Sequence, residues 1–332
     1  MIGEIIIRFN VAAWPFQPEP KEIPYLTAKD INLRWRFSQK GGEKILWLRT
    51  NSLGLRNREI VRKKEDVFRI LFLGDSLVWL GDTSSGKLYT EVVEENLNNL
   101  LDDKNIEVVN AGIPGYTTYQ ELEFLNVYGL DMQPDLVILG FVFNDVYKYL
   151  HRTTEEKILA HEPEVSLHRF NVHIFPGILF RNSYLAHEVM YAFQKIPHKL
   201  GLSPYYSFEH RPGFYLAWKS HGWTETEMLI GKMYQQLSDK DIPLIIVIFP
   251  VSDQVDDEYL NRDRDYVLYP QSRIKAIGEK YDIPYLDLTD ALYQGGGRKL
   301  FADYLHLKKE ANDIVAAELT KYLSDNLSFL IN

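Results

Sequence analysis

Three side chains of this sequence have the types needed for nucleophilic acyl transfer, namely Ser76, Asp303 and His306. A serine hydroxyl is a weak nucleophile until a histidine within hydrogen-bond reach accepts its proton. The histidine needs a carboxylate that fixes its tautomer and stabilises the imidazolium, and Asp303 lies three residues before His306. We therefore expect Ser76 to be the nucleophile, His306 the general base and then acid, and Asp303 the residue that orients the histidine.

Further groups have the chemistry needed to stabilise a tetrahedral intermediate. Its oxyanion requires hydrogen-bond donors, and the loss of one such donor typically costs about 3–4 kcal/mol of transition-state stabilisation. The main-chain N–H groups of Ser76 and Gly112 and the side-chain amide of Asn144 could act as these donors. We expect an oxyanion hole formed by these three residues.

These residues follow apolar runs that have the composition of buried strands. Five such strands are expected, at residues 68–74, 107–110, 135–143, 244–249 and 284–288. Helical periodicity appears between and after them, at residues 88–101, 120–129, 224–237, 272–281 and 308–323. Strands that alternate with helices predict a parallel sheet covered on both faces, with ligands bound at the carboxyl ends of the strands. We predict a flavodoxin-like three-layer α/β/α sandwich with a five-stranded parallel sheet.

Two segments interrupt this regular pattern. Residues 1–66 are aromatic and rich in proline, with short alternating runs that predict a β-rich N-terminal extension. Residues 146–222, rich in Tyr, Phe and His, are expected to form an insertion after the third strand, near the carboxyl ends of the strands. The remaining length, within 67–330, suits one catalytic domain.

Four short motifs resemble the sequence blocks of the SGNH, or GDSL-type, hydrolase family. The GDSL motif at 74–77 resembles the first block, NAG at 110–112 the second, and Asn144-Asp145 the third. Asp303 and His306 resemble the DxxH block. The motifs occur in family order, and the resemblance covers roughly residues 67–325, with a further likeness at 51–56 (NSLGLR) to the lead-in of one bacterial subgroup.

The resemblance implies the SGNH hydrolase fold and specific roles for the motif residues. Ser76 is the implied nucleophile, and Gly112 and Asn144 are the implied oxyanion donors. The sequence departs from the family at position 142, where Val142 stands in place of the first glycine of the usual G-x-N-D, and the nearest glycine is Gly140. This departure puts a close backbone approach at that loop in question. We interpret Asp75 as a helix N-cap or loop anchor with no catalytic role.

The resemblance implies an esterase or lipase-like acyl hydrolase. The expected partner is a small-molecule or glycan ester, and the expected bond is an O-acetyl or short-chain O-acyl ester of a carbohydrate or lipid. Two alternatives stay open: an O-acyltransferase that uses the same triad on a glycan, and a catalytically silent scaffold or binding module. Neither a cofactor nor a metal is expected.

A rival motif, GDTSSGKL at 81–88, nearly matches a phosphate-binding P-loop. Leu88 occupies the position of the Mg²⁺-binding Ser or Thr, and the loop begins seven residues beyond the last glycine of the preceding strand. We therefore interpret Lys87 as a surface residue at a helix start, and Gly81 and Gly86 as turn residues.

Composition excludes several classes of protein. The 37 Lys and Arg residues against 46 Asp and Glu give a net charge of −9, which argues against nucleic-acid binding. With no cysteine among the 332 residues, the chain has no disulfide, no thiolate metal site and no cysteine nucleophile. The GEIIIRF start at residues 3–9 has two interpretations: an ordinary first element, or the segment after an upstream membrane anchor, which would place the enzyme outside the cytoplasm.

Overall fold

The computed structural model describes residues 44–45, 48–51, 53–101, 105–146 and 215–330. Most of the expected N-terminal extension, residues 1–43, lies outside the described residues. The same holds for residues 147–214, which make up most of the expected insertion.

The described strands form one small ladder and one large sheet. Their bounds are β1 (Lys44–Ile45), β2 (Leu48–Arg49), β3 (Val67–Gly74), β4 (Asn105–Gly112), β5 (Leu136–Phe141), β6 (Leu244–Ile248) and β7 (Tyr285–Asp287). β1 and β2 pair antiparallel, and the other five form a parallel sheet in the order β4–β3–β5–β6–β7. The prediction of a five-stranded parallel sheet is confirmed.

Strand β3 lies inside the sheet, between β4 and β5, and carries the candidate nucleophile just beyond its carboxyl end. Its last six residues are buried, as are all residues of β5 and β6. Apolar side chains on both faces account for most of this burial, since helices cover both sides of a parallel sheet, and the buried Arg69 of β3 pairs with Glu107 of β4 at 2.7 Å. The register pairs Gly74 with Gly112 on one side and with Gly140 on the other, so the ends of these three strands are level.

The helices cover the sheet in two groups. Their bounds are α1 (Ser76–Trp79), α2 (Tyr89–Leu100), α3 (Thr118–Phe124), α4 (Trp223–Ser238), α5 (Asp257–Val267), α6 (Tyr269–Tyr281), α7 (Thr289–Gly295) and α8 (Lys309–Leu330). Helix α8 packs against α2 and α7, whereas α4 packs against α3 and α6. The three-layer α/β/α architecture expected from the sequence is confirmed. Among the described helices, none has the length and apolar character needed to cross a membrane.

Helix α7, of 7 residues, was not predicted, and two other helices differ from expectation for identifiable reasons. The helix predicted at 120–129 begins earlier, at Thr118, and continues beyond α3 as a π-helical turn, Leu125–Gly129. A Cβ on Gly129 would lie only 2.9 Å from Leu71 Cδ2, so this glycine allows a close approach to β3. Helix α5 was not predicted, because its sequence is strongly polar and buries only a few side chains, namely Tyr259, Leu260 and Val267.

The segment between β2 and β3 packs against the region of the candidate nucleophile. Asn51 Oδ1 accepts hydrogen bonds from the main-chain N–H groups of Leu53 and Leu55, each at 3.0 Å. Leu55 is buried in the core. Arg56 donates to the carbonyl of Trp79 at 2.9 Å and pairs with both carboxylate oxygens of Asp82 at 2.8 and 2.7 Å. The lead-in motif at 51–56 thus braces the end of α1.

Candidate active site

Ser76 is the first residue of the one-turn helix α1, directly after β3. Asp75 caps this helix, because its Oδ1 accepts a hydrogen bond from the Leu77 N–H at 2.8 Å. The interpretation of Asp75 as an N-cap is confirmed. This cap places the Ser76 hydroxyl and main-chain N–H at the carboxyl edge of the sheet, where open α/β sheets bind ligands.

A row of three glycines at the strand ends allows α1 to approach the sheet closely. A Cβ on Gly74 would lie 2.3 Å from Val78 Cγ2, and one on Gly140 would lie 2.9 Å from the same atom. A Cβ on Gly112 would lie 2.6 Å from the main-chain nitrogen of Trp79. Any larger residue in the row would therefore displace the helix that carries Ser76.

The glycine row also explains how the chain tolerates Val142 where the family pattern has a glycine. Val142 is fully buried, and its N–H donates to Asp145 Oδ2 at 2.8 Å. The close backbone approach occurs two residues earlier, at Gly140. The loop that carries Asn144 therefore keeps its turn without a glycine at position 142.

Ser76, His306 and Asp303 form a continuous hydrogen-bond series, although the serine and the histidine are 230 residues apart. Ser76 Oγ lies 2.9 Å from His306 Nε2, and His306 Nδ1 lies 2.7 Å from Asp303 Oδ2. Asp303 Oδ1 accepts two main-chain N–H bonds, from Leu305 and His306, each at 2.8 Å. A carboxylate only accepts, so His306 Nδ1 carries the proton and Nε2 is free to accept the serine hydroxyl.

Burial shifts the pKa values of Asp303 and His306 in one direction, and hydrogen bonds and charges shift them in the other. Burial alone would raise the pKa of Asp303, but hydrogen bonds from the His306 ring and from the His306 and Leu305 N–H groups lower it to about 2. Burial would lower the pKa of His306, but the bond to Asp303 and the charges of Asp303 and Asp75 raise it above its ordinary value. The surroundings of His306 therefore stabilise the protonated form of its ring.

Asn144 contacts Asp75, the residue that caps helix α1. Its Nδ2 donates to Asp75 Oδ2 at 2.9 Å, and the second amide hydrogen has no acceptor among the residues that the structure describes. Burial raises the pKa of Asp75, against the hydrogen bonds from Leu77 and Asn144 that lower it. Asp75 thus links the cap of α1, the helix that begins at Ser76, to Asn144.

The geometry argues against Gly112 as the remaining donor. Its N–H already donates to Asn110 Oδ1 at 3.0 Å, and the residue is buried beneath α1. Asn110 Nδ2 in turn donates to the carbonyl of Val78 at 2.9 Å. Gly112 is therefore a packing glycine in this structure, and Asn110 fastens it to the helix that carries Ser76.

The sequence analysis missed a second glycine, Gly115, in the turn that follows β4. Tyr116 N–H donates to the carbonyl of Ile113 at 3.1 Å, and Gly115 has a φ of +77°. These values fit a type II turn, which favours proline at the second position and glycine at the third, as in Ile113-Pro114-Gly115-Tyr116. Gly115 is exposed, and its N–H has no hydrogen-bond partner among the described residues. The Pro-Gly pair was the sequence signal that could have identified it.

The segment that resembles a P-loop folds as a surface turn. Thr83 accepts a hydrogen bond from the Gly86 N–H at 3.0 Å, and its own N–H donates to the carbonyl of Lys87 at 2.8 Å. The Lys87 ammonium pairs with Glu95 of α2 at 2.5 Å, and both side chains are about half exposed. Lys87 is thus a surface residue, as expected, and it is engaged by a carboxylate of its own chain. Within the described residues, no group of three or more His, Asp or Glu side chains could hold a metal ion.

Comparisons with known proteins agree with the motifs. A family model described as the GDSL-like Lipase/Acylhydrolase family matches residues 72–314, which include Ser76, Asn144, Asp303 and His306. A search of curated protein sequences finds no match.

Solved structures similar to this chain include three esterases or acylhydrolases. The acetyl xylan esterase AlAXEase has 16% identity and a TM-score of 0.47, with 77% of this chain and 100% of that chain covered. The lipase/acylhydrolase from Enterococcus faecalis has 17% identity and a TM-score of 0.43, with 78% and 96% covered. A catalytic mutant of Axe2, an acetylxylan esterase from Geobacillus stearothermophilus, has 15% identity and a TM-score of 0.44, with 80% and 95% covered. Because the family model matches most of its length, this chain belongs to the GDSL-like lipase/acylhydrolase family and is a hydrolase of that kind.

Proposed function

We propose that this acylhydrolase is a serine esterase that acts through an acyl-enzyme on Ser76. The observation that carries the proposal is the hydrogen-bond series from Ser76 through His306 to Asp303. The distances of 2.9 and 2.7 Å suit proton transfer from the hydroxyl to Nε2 without rearrangement.

The proposed reaction has two steps. Ser76 Oγ attacks the ester carbonyl while His306 Nε2 takes its proton, and the imidazolium then protonates the leaving alcohol. In the second step His306 takes a proton from water, the resulting hydroxide attacks the acyl-enzyme, and the proton returns to Ser76 as the acid leaves. Asp303 stays ionised throughout, because its pKa of about 2 lies far below the working pH.

The oxyanion of each tetrahedral intermediate requires donors near Ser76. Within the described ranges the Ser76 N–H, at the start of α1, has no acceptor, and Asn144 has one amide hydrogen not used by Asp75. As the third donor we propose the N–H of Gly115 in place of that of Gly112. The register supports this choice, because Gly74 pairs with Gly112 and Ile113 N–H donates to the Gly74 carbonyl, so the turn begins beside the nucleophile.

Hydrolysis is favoured over transfer to a glycan by the exposure of the base. The His306 side chain is 33% exposed, so water has access to the residue that must activate it in the second step. The proposed substrate class is an O-acetyl or short-chain O-acyl ester of a carbohydrate or lipid, as the family resemblance implies.

A serine-directed fluorophosphonate probe and p-nitrophenyl esters test this proposal. We expect the wild type to be labelled and to hydrolyse p-nitrophenyl acetate, and Ser76→Ala to lose labelling and at least about 10³-fold in kcat. Ser252→Ala, which removes a buried serine after β6, is the matched control and should retain labelling.

Each alternative predicts a different result. Equal labelling of the wild type and Ser76→Ala would refute the nucleophile assignment. An intact Ser76 that is neither labelled nor active would favour the silent scaffold. Faster release of p-nitrophenol when a sugar is added, with acylated sugar as the product, would identify a transferase.

A further inference from the structure

The two sides of the candidate site are joined at a second place, away from the bond between Ser76 and His306. Asn312 Nδ2 donates a hydrogen bond to the main-chain carbonyl of Asp82 at 2.9 Å. Asp82 follows Ser76 by six residues and Asn312 follows His306 by six, so this bond spans the same 230 residues as the bond between the serine and the histidine. The side chain of Asn312 therefore joins the segment after the nucleophile to the segment after the base.

Asp82 is attached to the helix that carries Ser76 by main-chain hydrogen bonds. Its N–H donates to the carbonyl of Leu80 at 2.8 Å, and the N–H of Leu80 donates to the carbonyl of Ser76 at 2.8 Å. Asp82 also forms an antiparallel bridge with Leu88, directly before α2. Because these main-chain bonds connect the residues in series, they fix the position of the Asp82 carbonyl relative to Ser76.

Asn312 is attached in the same way to the loop that carries His306. It lies in the first turn of α8, and its N–H donates to the carbonyl of Lys308 at 3.1 Å. The N–H of Lys308 donates to the carbonyl of Leu300 at 2.8 Å, and the N–H of Ala302 donates to the carbonyl of His306 at 2.8 Å. These bonds close the loop onto the first turn of α8, so the helix and the histidine move together.

Burial and orientation indicate that the Asn312 amide is present for its hydrogen bond. The residue is 2% exposed, and because the Asp82 carbonyl only accepts, the NH₂ group of the amide faces it. The amide oxygen, Oδ1, is buried and has no hydrogen-bond partner among the residues that the structure describes. A buried polar atom without a partner costs free energy, which an apolar side chain of similar size would avoid. The bond to Asp82 is what such an apolar side chain could not supply.

Packing between the two segments is interrupted beside Asn312. A cleft of about 420 Å³ is lined from both segments, by Leu80 and Leu307 among others, and by Asn312 itself. A further contact of α8 with the segment after α1, from the Ser84 N–H to Asp313 Oδ1 at 3.0 Å, is exposed. Asn312 therefore holds the two segments together from a buried position beside this cleft.

We propose that Asn312 is a positioning residue that holds His306 at hydrogen-bond distance from Ser76 by joining the first turn of α8 to the segment after α1. The inference rests on the proposed function, because its effect on rate appears in ester hydrolysis. Without the bond to Asp82 the loop that carries His306 can move, and a misplacement of about 1 Å can lower a rate about 10²-fold. Because Asn312 acts through the base and not on the substrate, its loss lowers kcat and leaves KM nearly unchanged.

Steady-state kinetics of the full chain with p-nitrophenyl acetate test the effect on the base. Asn312→Leu has a similar volume but no donor, and it should lower kcat about 10-fold to 100-fold with KM within about 3-fold of wild type. Asn96→Leu is the matched control, because Asn96 Nδ2 joins α2 to α8 through Thr320 Oγ1 at 3.3 Å, further along the helix. The control should keep kcat within about 2-fold of wild type.

A nuclear magnetic resonance measurement tests the position of the base independently of catalysis. The ¹⁵N chemical shift of His306 Nε2, measured at alkaline pH where the ring is neutral, reports the hydrogen bond with Ser76. Ser76→Ala gives the shift of the ring without that bond. We expect Asn312→Leu to move the shift toward that of Ser76→Ala, and Asn96→Leu to keep the wild-type shift.

The outcomes distinguish the role of Asn312 from the proposed function. The inference is overturned if Asn312→Leu keeps the kcat of an active wild type, if its kcat falls while the Nε2 shift is unchanged, or if Asn96→Leu loses as much kcat. A wild type without esterase activity whose Nε2 shift still moves in Asn312→Leu would contradict the proposed function and support the positioning role. Urea unfolding shows whether each leucine variant is folded, and where Asn312→Leu does not fold, Asn312→Ala decides.

Discussion

Two loops meet at the hydrogen bond between Ser76 and His306, and they are built in opposite ways. The nucleophile turn, Gly74–Trp79, is buried and is held from outside by the core, the glycine row and Arg56. The histidine loop, Phe301–Leu307, lies nearer the surface and is closed by its own backbone: Phe301 bridges Leu307, and Ala302 N–H donates to the His306 carbonyl at 2.8 Å.

The carboxyl groups of the two loops show what this difference does to acidity. Asp75 is 1% exposed, and burial raises its pKa despite two hydrogen bonds. Asp303 has a side chain that is 57% exposed, and three donors lower its pKa to about 2. Both carboxyl groups act on His306, but only Asp303 contacts the ring. The comparison indicates that donors and solvent together, and not the residue type, determine which acid is the stronger.

The largest effect should come from Asp303→Asn. The amide keeps the shape but carries no charge, and its NH₂ group favours the wrong tautomer of His306, so kcat with p-nitrophenyl acetate should fall on the order of 10³–10⁴-fold. Asp290→Asn, on the exposed surface of α7, is the control and should leave kcat unchanged. Retention of more than a tenth of the wild-type kcat by Asp303→Asn would contradict the orienting role.

A smaller effect is expected for Asp75→Asn. Its new amide cannot accept from Asn144 as well as a carboxylate does, so kcat should fall about 10-fold to 100-fold, less than the 10²–10³-fold typical of a lost oxyanion donor.

The same variant should move the pH dependence of catalysis. His306 acts as a base only when neutral, so kcat/KM increases as pH rises through its pKa, which the Asp303 and Asp75 charges raise above its ordinary value in the wild type. Removing the charge of Asp75 lowers that pKa, and the acid limb of kcat/KM measured from pH 5 to 9 should move to lower pH. An acid limb that stays in place would show that Asp75 has no electrostatic action on His306.

The smallest effect on catalysis is expected at Arg56, which braces the nucleophile turn from the N-terminal side. Its loss should instead lower the free energy of unfolding. Arg56→Ala leaves Asp82 and the Trp79 carbonyl without their donor, and the unfolding free energy should fall by about 2–4 kcal/mol. Arg58→Ala breaks a pair with Glu94 in which the arginine is largely exposed, and should cost less than about 1 kcal/mol. Urea unfolding measures both, and equal losses would show that Arg56 does not brace the turn.

The local features of the fold could be predicted from the sequence. The five strands follow from continuous apolar runs, and each was expected within a few residues of its observed bounds. The capping role of Asp75 follows from an acidic residue placed just before a helix. By contrast, the polar helix α5 was missed because periodicity reports buried faces, and this helix buries few side chains.

The sequence by itself therefore determined which residue types lie at the strand ends and in what order. Only the tertiary structure decided how they meet, because contacts across 230 residues depend on crossovers and packing that no local pattern contains. It assigned Gly112 to packing and left the Gly115 N–H without a partner in the part of the chain that the structure describes, since only the neighbouring Asn110 and Val78 reveal which amide is engaged. It also shifted the pKa values of the two aspartates of this site in opposite directions, upward for Asp75 and downward for Asp303, because pKa values depend on burial and donors that the fold supplies.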